Sequence, residues 1–302
     1  MINLATCKFC IWGLKNGGYD TFRHIYEAFE RALKFMGREV MWIDASCMSG
    51  IDFSNTFFIT MDTVVDREIN SIPLRSDCFY AVHNSVMSHQ DRFDGLDLLI
   101  YYRFLYQIGS KVLETTCSNN RVDFPWATNL LPNEIIKPSR VFNYESKVVN
   151  YVASAWNSAS REITAFGNAC TDNGIEFRHI GQGFTGAVSV DENCRLVRAS
   201  YLAPALTSQE QTETGYIPCR IFKNISYGQF GITNSAAVND FFDGALIYDP
   251  DPAKLFYEAR SRLAHESVDK LHHLMNVVAT KHTFLNRIDS LINAARQILE
   301  SK

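Results

Sequence analysis

Six apolar runs punctuate the first 117 residues: "LATCKFCIW" (4–12), "REVMWID" (38–44), "NTFFITM" (55–61), "CFYAVHN" (78–84), "DLLIYYR" (97–103) and "KVLETTC" (111–117). A strand with one wet face alternates apolar and polar side chains, and these runs do not alternate. Near-continuous apolar strands belong to sheets covered on both faces, which are mostly parallel and need crossover connections. The first connection fits. "GLKNGGYD" (13–20) is a glycine-bearing turn, and residues 20–36 repeat Phe22, Ile25, Tyr26, Phe29, Leu33 and Met36 at helical spacing.

Around 125–146 the character changes. "FPWATNLLPNEIIKPSRVF" has three prolines and little periodicity, as expected of a crossover between domains. A second alternation follows: a strand at 147–156, a helix at 158–172 and a short strand at 175–181. Irregular structure is expected from there to about 216. A helix near 234–242, the strand "ALIYD" (245–249) and a helix at 252–264 come next. A long helical pattern closes the chain from about 267 to 300, with Phe284, Ile288, Leu291, Ile292, Ala295 and Ile298 on its buried side. The expected organisation is a first α/β domain (1–130), a crossover (131–146), a second α/β domain (147–270) and a helical C-terminal segment (271–302). Two such halves place a ligand in the cleft between them, at the carboxyl ends of the strands.

The totals set limits on that ligand. Among 302 residues, 29 Lys and Arg stand against 33 Asp and Glu, a net charge of −4, which argues against a general nucleic-acid binder. An anionic ligand must then be met by a local cluster of cations. Eight cysteines (7, 10, 47, 78, 117, 170, 194 and 219) are scattered in apolar runs and read as reduced thiols. Cys7 and Cys10 form a CxxC without a second pair at zinc spacing, so they read as side chains of a buried first strand. "MINLATCKFCIWG" lacks a basic leader followed by a long apolar stretch, and no apolar run reaches the ~18 residues of a membrane span. A cytoplasmic protein is expected.

One stretch concentrates the chemistry: "YIPCRIFKNISYGQFGITNS", residues 216–235. It opens like a strand, sets Arg220 and Lys223 one helical turn apart, passes Gly228 and Gly231, and ends on Thr233, Asn234 and Ser235. Two readings compete: an anion site, or two cations snorkelling on a solvated face. Lys223 is followed eight residues later by Gly231 and "ITNS", then by "FFDGALIYDPDPAKLFYEARSRL". In this the chain resembles the nucleotide-sugar-binding half of GT-B glycosyltransferases. The resemblance covers the organisation of roughly residues 147–265 and is specific in residues 216–235.

That resemblance implies an α/β fold of two Rossmann-like domains facing a cleft, with the C-terminal helix packing back on the first domain. It implies an N-terminal acceptor domain and a C-terminal nucleotide-sugar domain. The donor, a UDP- or GDP-linked sugar, would meet Arg220, Lys223, Ser226, Tyr227, Gly231, Thr233 and Asn234, with Gly17 and Gly18 approaching from the first loop. The family places a glutamate three residues after the lysine to hold the ribose. Ser226 stands there in this chain, so ribose contact would pass to Ser226, Thr233 or Asn234. The resemblance implies sugar transfer to a hydroxyl of a glycan or another acceptor, with no metal and no further cofactor.

The proton-accepting base is expected among Asp20, His83 and Asp62. Asp20 reads either as that base or as the N-cap of helix 20–36. His83 stands at the carboxyl end of an expected strand, where a neutral imidazole is a competent base or a structural residue. Asp62 follows the strand "NTFFITM", and Asp66, Asp91 and Asp94 lie on neighbouring loops. "DPD" (249–251) superficially matches the metal motif of other transferases. With Pro252 after it, the turn reads as the start of a helix. Trp126, Tyr101, Tyr102, Phe104 and Tyr106 read as core residues or as sugar-stacking rings. His272 and His273 read as surface residues. Two other functions fit the same pattern: a sugar-nucleotide epimerase of similar shape, and a binding protein that kept the site without the base.

Overall fold

The computed structural model describes residues 2–15, 21–61, 72–83, 99–103, 117–118, 121–135, 145–154 and 159–301. The chain forms two compact units. One comprises Met1–Phe104, Val112–Phe124 and Phe284–Lys302; the other comprises Leu105–Lys111 and Pro125–Thr283.

The first unit is built on one sheet. Its strands are β1 (Lys8–Trp12), β2 (Val40–Ile43), β3 (Thr56–Met61), β4 (Phe79–His83), β5 (Leu99–Arg103), β6 (Cys117–Ser118) and β7 (Arg121–Asp123), in the spatial order β2-β1-β3-β4-β5-β7-β6. Every pairing is parallel except β6 with β7. Strands β3 and β4 are buried at every position, which is the physical reason their sequences do not alternate. Register comes from rings as well as backbone. Phe9, Phe57 and Phe79 are directly opposed on β1, β3 and β4, with ring centroids 5.2 and 5.0 Å apart. Helix α1 (Thr21–Phe35) covers part of this sheet, and its Phe29 meets Phe284 edge-on at 5.0 Å. The C-terminal helix of the chain is thus part of the first unit.

The second unit has the strands β8 (Val148–Val152), β9 (Glu176–Ile180), β10 (Pro204–Ala205), β11 (Ile232–Thr233) and β12 (Ile247–Tyr248). Pairs β8–β9, β10–β11 and β11–β12 are parallel. Tyr201 N donates to Val148 O at 2.8 Å, so the segment entering β10 runs beside β8. Its helices are α2 (Ser160–Asp172), α3 (Val190–Ala199), α4 (Gln209–Glu213), α5 (Cys219–Ser226), α6 (Ala236–Phe241), α7 (Pro252–Leu263) and α8 (Val268–Lys281). No helix among the described residues is long and apolar enough to cross a membrane.

Three expectations change. Residues 181–216 are not irregular: they hold α3, β10 and α4. Ser189 Oγ accepts from Glu192 N, and Ser208 with Gln211 forms a capping box, so both helix starts carried their signal in the sequence. The strand expected at the head of 216–235 is helix α5, started by Pro218 and driven by Ile221, Phe222 and Ile225, all buried on one side. The helical pattern of 267–300 is two helices, α8 and α9 (Phe284–Glu300). They part at His282 and Thr283, whose backbone pairs instead with Thr128: Thr128 N donates to His282 O at 2.9 Å. Strand β7 pairs with β5 on one side and, antiparallel, with the short β6 on the other; of the strand expected at 111–117 only Cys117, in β6, lies within the described residues.

Truncating the ring at the centre of the aromatic row removes contacts on both sides. Phe57→Ala is expected to lower unfolding free energy by about 3–5 kcal/mol, measured as a shift in urea midpoint with unchanged slope.

Candidate functional site

The two cations singled out in the sequence lie on α5, and the structure gives them different surroundings. Pro218, the N-cap, is extended at φ −71 and ψ 145, and no side chain caps the first turn. The N–H groups that begin α5 therefore add a positive end to the helix. Arg220 sits in this first turn. Its guanidinium carbon lies 4.5 Å from the centroid of the Tyr151 ring on β8, and its Nε donates to Val152 O at 3.4 Å. That places the charge at the carboxyl end of β8, where open α/β sheets bind ligands. Arg220 is half-buried and makes no ion pair among the described residues. Lys223, one turn along the same face, is half-buried too, and its ammonium has no hydrogen-bond or ion-pair partner among them. A half-buried cation without a counter-ion is costly to hold, and an anionic ligand relieves that cost.

His179 completes the cluster from the end of β9. Its ring stands edge-on to Tyr151 with centroids 5.5 Å apart and stacks on Phe184 at 3.6 Å. Its Nε2 is buried without a hydrogen-bond partner. Burial, and secondarily the charge of Arg220, hold the imidazole below its ordinary pKa, so it stays neutral.

The remaining expected donor residues have structural work. Ser226 is fully buried; its hydroxyl donates to Lys223 O at 2.8 Å and pairs with Thr128 Oγ1 at 2.7 Å. Tyr227 is buried with its hydroxyl donating to Asn129 Oδ1 at 2.7 Å, and burial raises its pKa. Thr233 donates to Ala205 O at 3.3 Å inside the β10–β11 pair. A Cβ on Gly231 would meet Leu246 Cδ2 at 2.4 Å, so this glycine admits a leucine side chain into the core. Ser226, Tyr227, Gly231 and Thr233 are thus all buried in this geometry, and the hydroxyls of Ser226 and Thr233 are engaged with protein partners. Burial was the information missing from the sequence.

Asn234 ties the ends of β10 and β11 together: its Oδ1 accepts from Thr207 N at 2.9 Å and its Nδ2 donates to Thr207 O at 2.8 Å. It also borders a groove of about 680 Å3 together with Arg161, Glu162, Gln209, Glu213 and Asp251. Three carboxylates against one guanidinium make this groove a poor host for a diphosphate, unlike the cluster at Arg220. Asp251 is already engaged, its Oδ1 accepting from Ala253 N and Lys254 N as the cap of α7. "DPD" is the start of a helix, as its proline suggested.

In the first unit, His83 is the last residue of β4, buried, with its ring stacked on Tyr102 at 5.2 Å. Asp44, at the end of β2, was missed by sequence reasoning. It is buried and its Oδ1 accepts from Lys15 N at 2.8 Å. Tyr102 is core, and Trp126 packs against the core of the second unit. His272 and His273 are exposed on α8. Gly17, Gly18, Asp20, Asp62, Asp66, Asp91, Asp94, Phe104 and Tyr106 lie outside the described residues, as does the side chain of Tyr101.

Solved structures share this architecture. An alpha-glucosyltransferase in complex with UDP and a 13-mer DNA containing a HMU base matches with a TM-score of 0.61 at 10% identity, over 95% of this chain and 100% of that one. A second alpha-glucosyltransferase structure, in complex with UDP, matches with a TM-score of 0.57 at 9% identity, over 95% and 99% of the two chains. At such identities the likeness is one of fold: this chain has the mixed α/β fold, with parallel sheets, of these glucosyltransferases. No family model matches the chain, and no curated relative does.

Two outcomes check the assignments of this site. Ser226→Ala should cost about 1–3 kcal/mol of stability in chemical denaturation, because Thr128 loses a buried partner. His179 also predicts a pH effect. Its folded pKa lies below the unfolded value of about 6.5, so the unfolded chain binds more protons in acid. The neutral ring's contribution is present above that value and is lost as pH falls through the folded pKa. Between about pH 7.5 and 5, the melting temperature of His179→Phe should fall less steeply than that of the parent.

Proposed function

We propose that the chain is a glycosyltransferase that moves a sugar from a nucleotide-sugar donor to a hydroxyl acceptor, with the donor diphosphate held by Arg220. The observation that carries this reading is a half-buried arginine with no counter-ion among the described residues, at the carboxyl end of β8 and in the first turn of α5, whose N-cap offers no side-chain hydrogen bond. The fold shared with two UDP-bound alpha-glucosyltransferases supports it. Chemistry explains why such a site serves transfer. As the glycosidic bond to the donor breaks, negative charge gathers on the departing nucleoside diphosphate. A planar guanidinium, a lysine and free helix N–H groups meet that charge as it develops and need no rearrangement. Lys223 is the second cation of this cradle.

The donor is read as a UDP- or GDP-linked sugar and the acceptor as a glycan or glycoside hydroxyl. The diphosphate charge is assigned to side chains and N–H groups, so turnover should persist in a chelator. His83 is the one expected base within the described residues. Its imidazole stands at the carboxyl end of β4, and Asp20 and Asp62 remain the carboxylate options. The reading places the enzyme in the cytoplasm with its nucleotide donor.

Arg220→Ala should raise the dissociation constant for a nucleoside diphosphate by about ten-fold or more, measured by titration calorimetry. Arg220→Lys should recover only part, since an ammonium lacks the planar fork. Unchanged affinity in Arg220→Ala overturns the donor site. Nucleoside diphosphate released only when acceptor is added means transferase; binding with no turnover across donors and acceptors means a binding protein.

A further inference from the structure

Phe184 is held in water by a turn built for that purpose. It is 49% exposed, in the sequence "GQGFTG" that follows β9. Three glycines of this turn have positive φ: Gly181 at 135, Gly183 at 89 and Gly186 at 99. Gly181 O accepts from Phe184 N at 3.0 Å and from Thr185 N and Gly186 N at 3.1 Å, and Thr185 Oγ1 accepts from Gly181 N at 3.2 Å. The turn is thus closed by its own hydrogen bonds. It is also pressed against the end of β8: a Cβ on Gly181 would stand 2.2 Å from Ala153 O. The turn's own hydrogen bonds therefore hold the ring with its outer face open to solvent.

The inner face of that ring is accounted for. Phe184 stacks on His179 at 3.6 Å with the planes 27° apart, His179 stands edge-on to Tyr151, and Tyr151 carries the Arg220 guanidinium at 4.5 Å. The exposed ring and the cation, which has no counter-ion among the described residues, are therefore two ends of one connected cluster at the ends of the neighbouring strands β8 and β9. Gln182, Gly183, Thr185 and Gly186 around the ring are exposed and not apolar. This is a single flat platform, not the contiguous apolar patch on which another protein would dock.

We propose that the outward face of Phe184 is the nucleobase platform of the donor site, stacking on the planar heterocycle while Arg220 holds the diphosphate. The proposal rests on the donor reading above. His179 is its positioning residue: kept neutral and packed edge-on to Tyr151, it fixes the tilt of the Phe184 ring. Every base has a π-face, so this contact strengthens binding of nucleotides without choosing among bases.

The test compares uridine diphosphate with inorganic pyrophosphate, which has the charge and lacks the base. Phe184→Ala should weaken uridine diphosphate binding by about ten-fold or more and leave pyrophosphate binding unchanged. Arg220→Ala should weaken both. Phe184→Trp, which preserves a stacking ring, should keep full affinity and show emission, relative to the parent, that is quenched by uridine diphosphate and not by pyrophosphate. Unchanged uridine diphosphate affinity in Phe184→Ala, an equal loss for both ligands, or an unquenched tryptophan each overturns the platform. A loss in Phe184→Ala with none in Arg220→Ala overturns the donor-cation reading and leaves the platform standing.

Discussion

A parallel strand buried on both faces leaves its chemistry only one place to go, the carboxyl end where the chain turns out of the sheet. The first unit follows this constraint throughout. The bodies of β3 and β4 are buried, β1 is nearly so, and polar side chains such as Asp44 and His83 appear where β2 and β4 finish. In the second unit β8 is buried along its middle while β9 is partly exposed, and their ends carry Val152, His179 and the glycine turn of Phe184. The aromatic row of Phe9, Phe57 and Phe79 shows how fully the interior of the first sheet is given to packing.

The second unit adds a cation that no carboxylate among the described residues neutralises. Arg220 is supported by a ring face and one carbonyl. Cation–π contact and a single main-chain bond orient a guanidinium but do not cancel its charge. Arg178 and Arg195 of the same unit are met by the carboxylates of Glu176 and Glu192. Among the described residues the charge of Arg220 stays open at the end of a parallel strand, which favours an anion there. Charge also makes the acidic groove beside Asn234 the weaker host for a diphosphate although it has the volume.

Residues 216–235 divide by burial more than by residue type. Ser226, Thr233 and Asn234 have the hydroxyls and amide that a ribose site needs, and each is committed to a neighbouring backbone or side chain. Gly231, expected among the donor-contacting residues, leaves the space that the Leu246 side chain fills. Conversely, His179 and Phe184 gave little sign of themselves. The only local signal was the run of glycines after a strand, together with an aromatic at the tip of a turn.

The sequence by itself determined the α/β class, the strands β1 to β5, β8 and β9, the helices α1, α2 and α7, and Arg220 with Lys223 as the cations to watch. Those elements are legible because two-sided burial writes continuous apolar runs and one-sided burial writes a helical period, both local patterns. The strand β12 lies within the stretch expected at 245–249, but only the tertiary structure decided that β10 exists, since a two-residue strand has no period to read. It also decided that the closing helical pattern breaks at His282, because that break is made by Thr128, more than a hundred residues away. Above all it decided which polar groups still have something to offer a ligand. A hydrogen bond to a partner distant in the chain uses up a side chain completely, and nothing in that side chain's own neighbourhood of sequence records it.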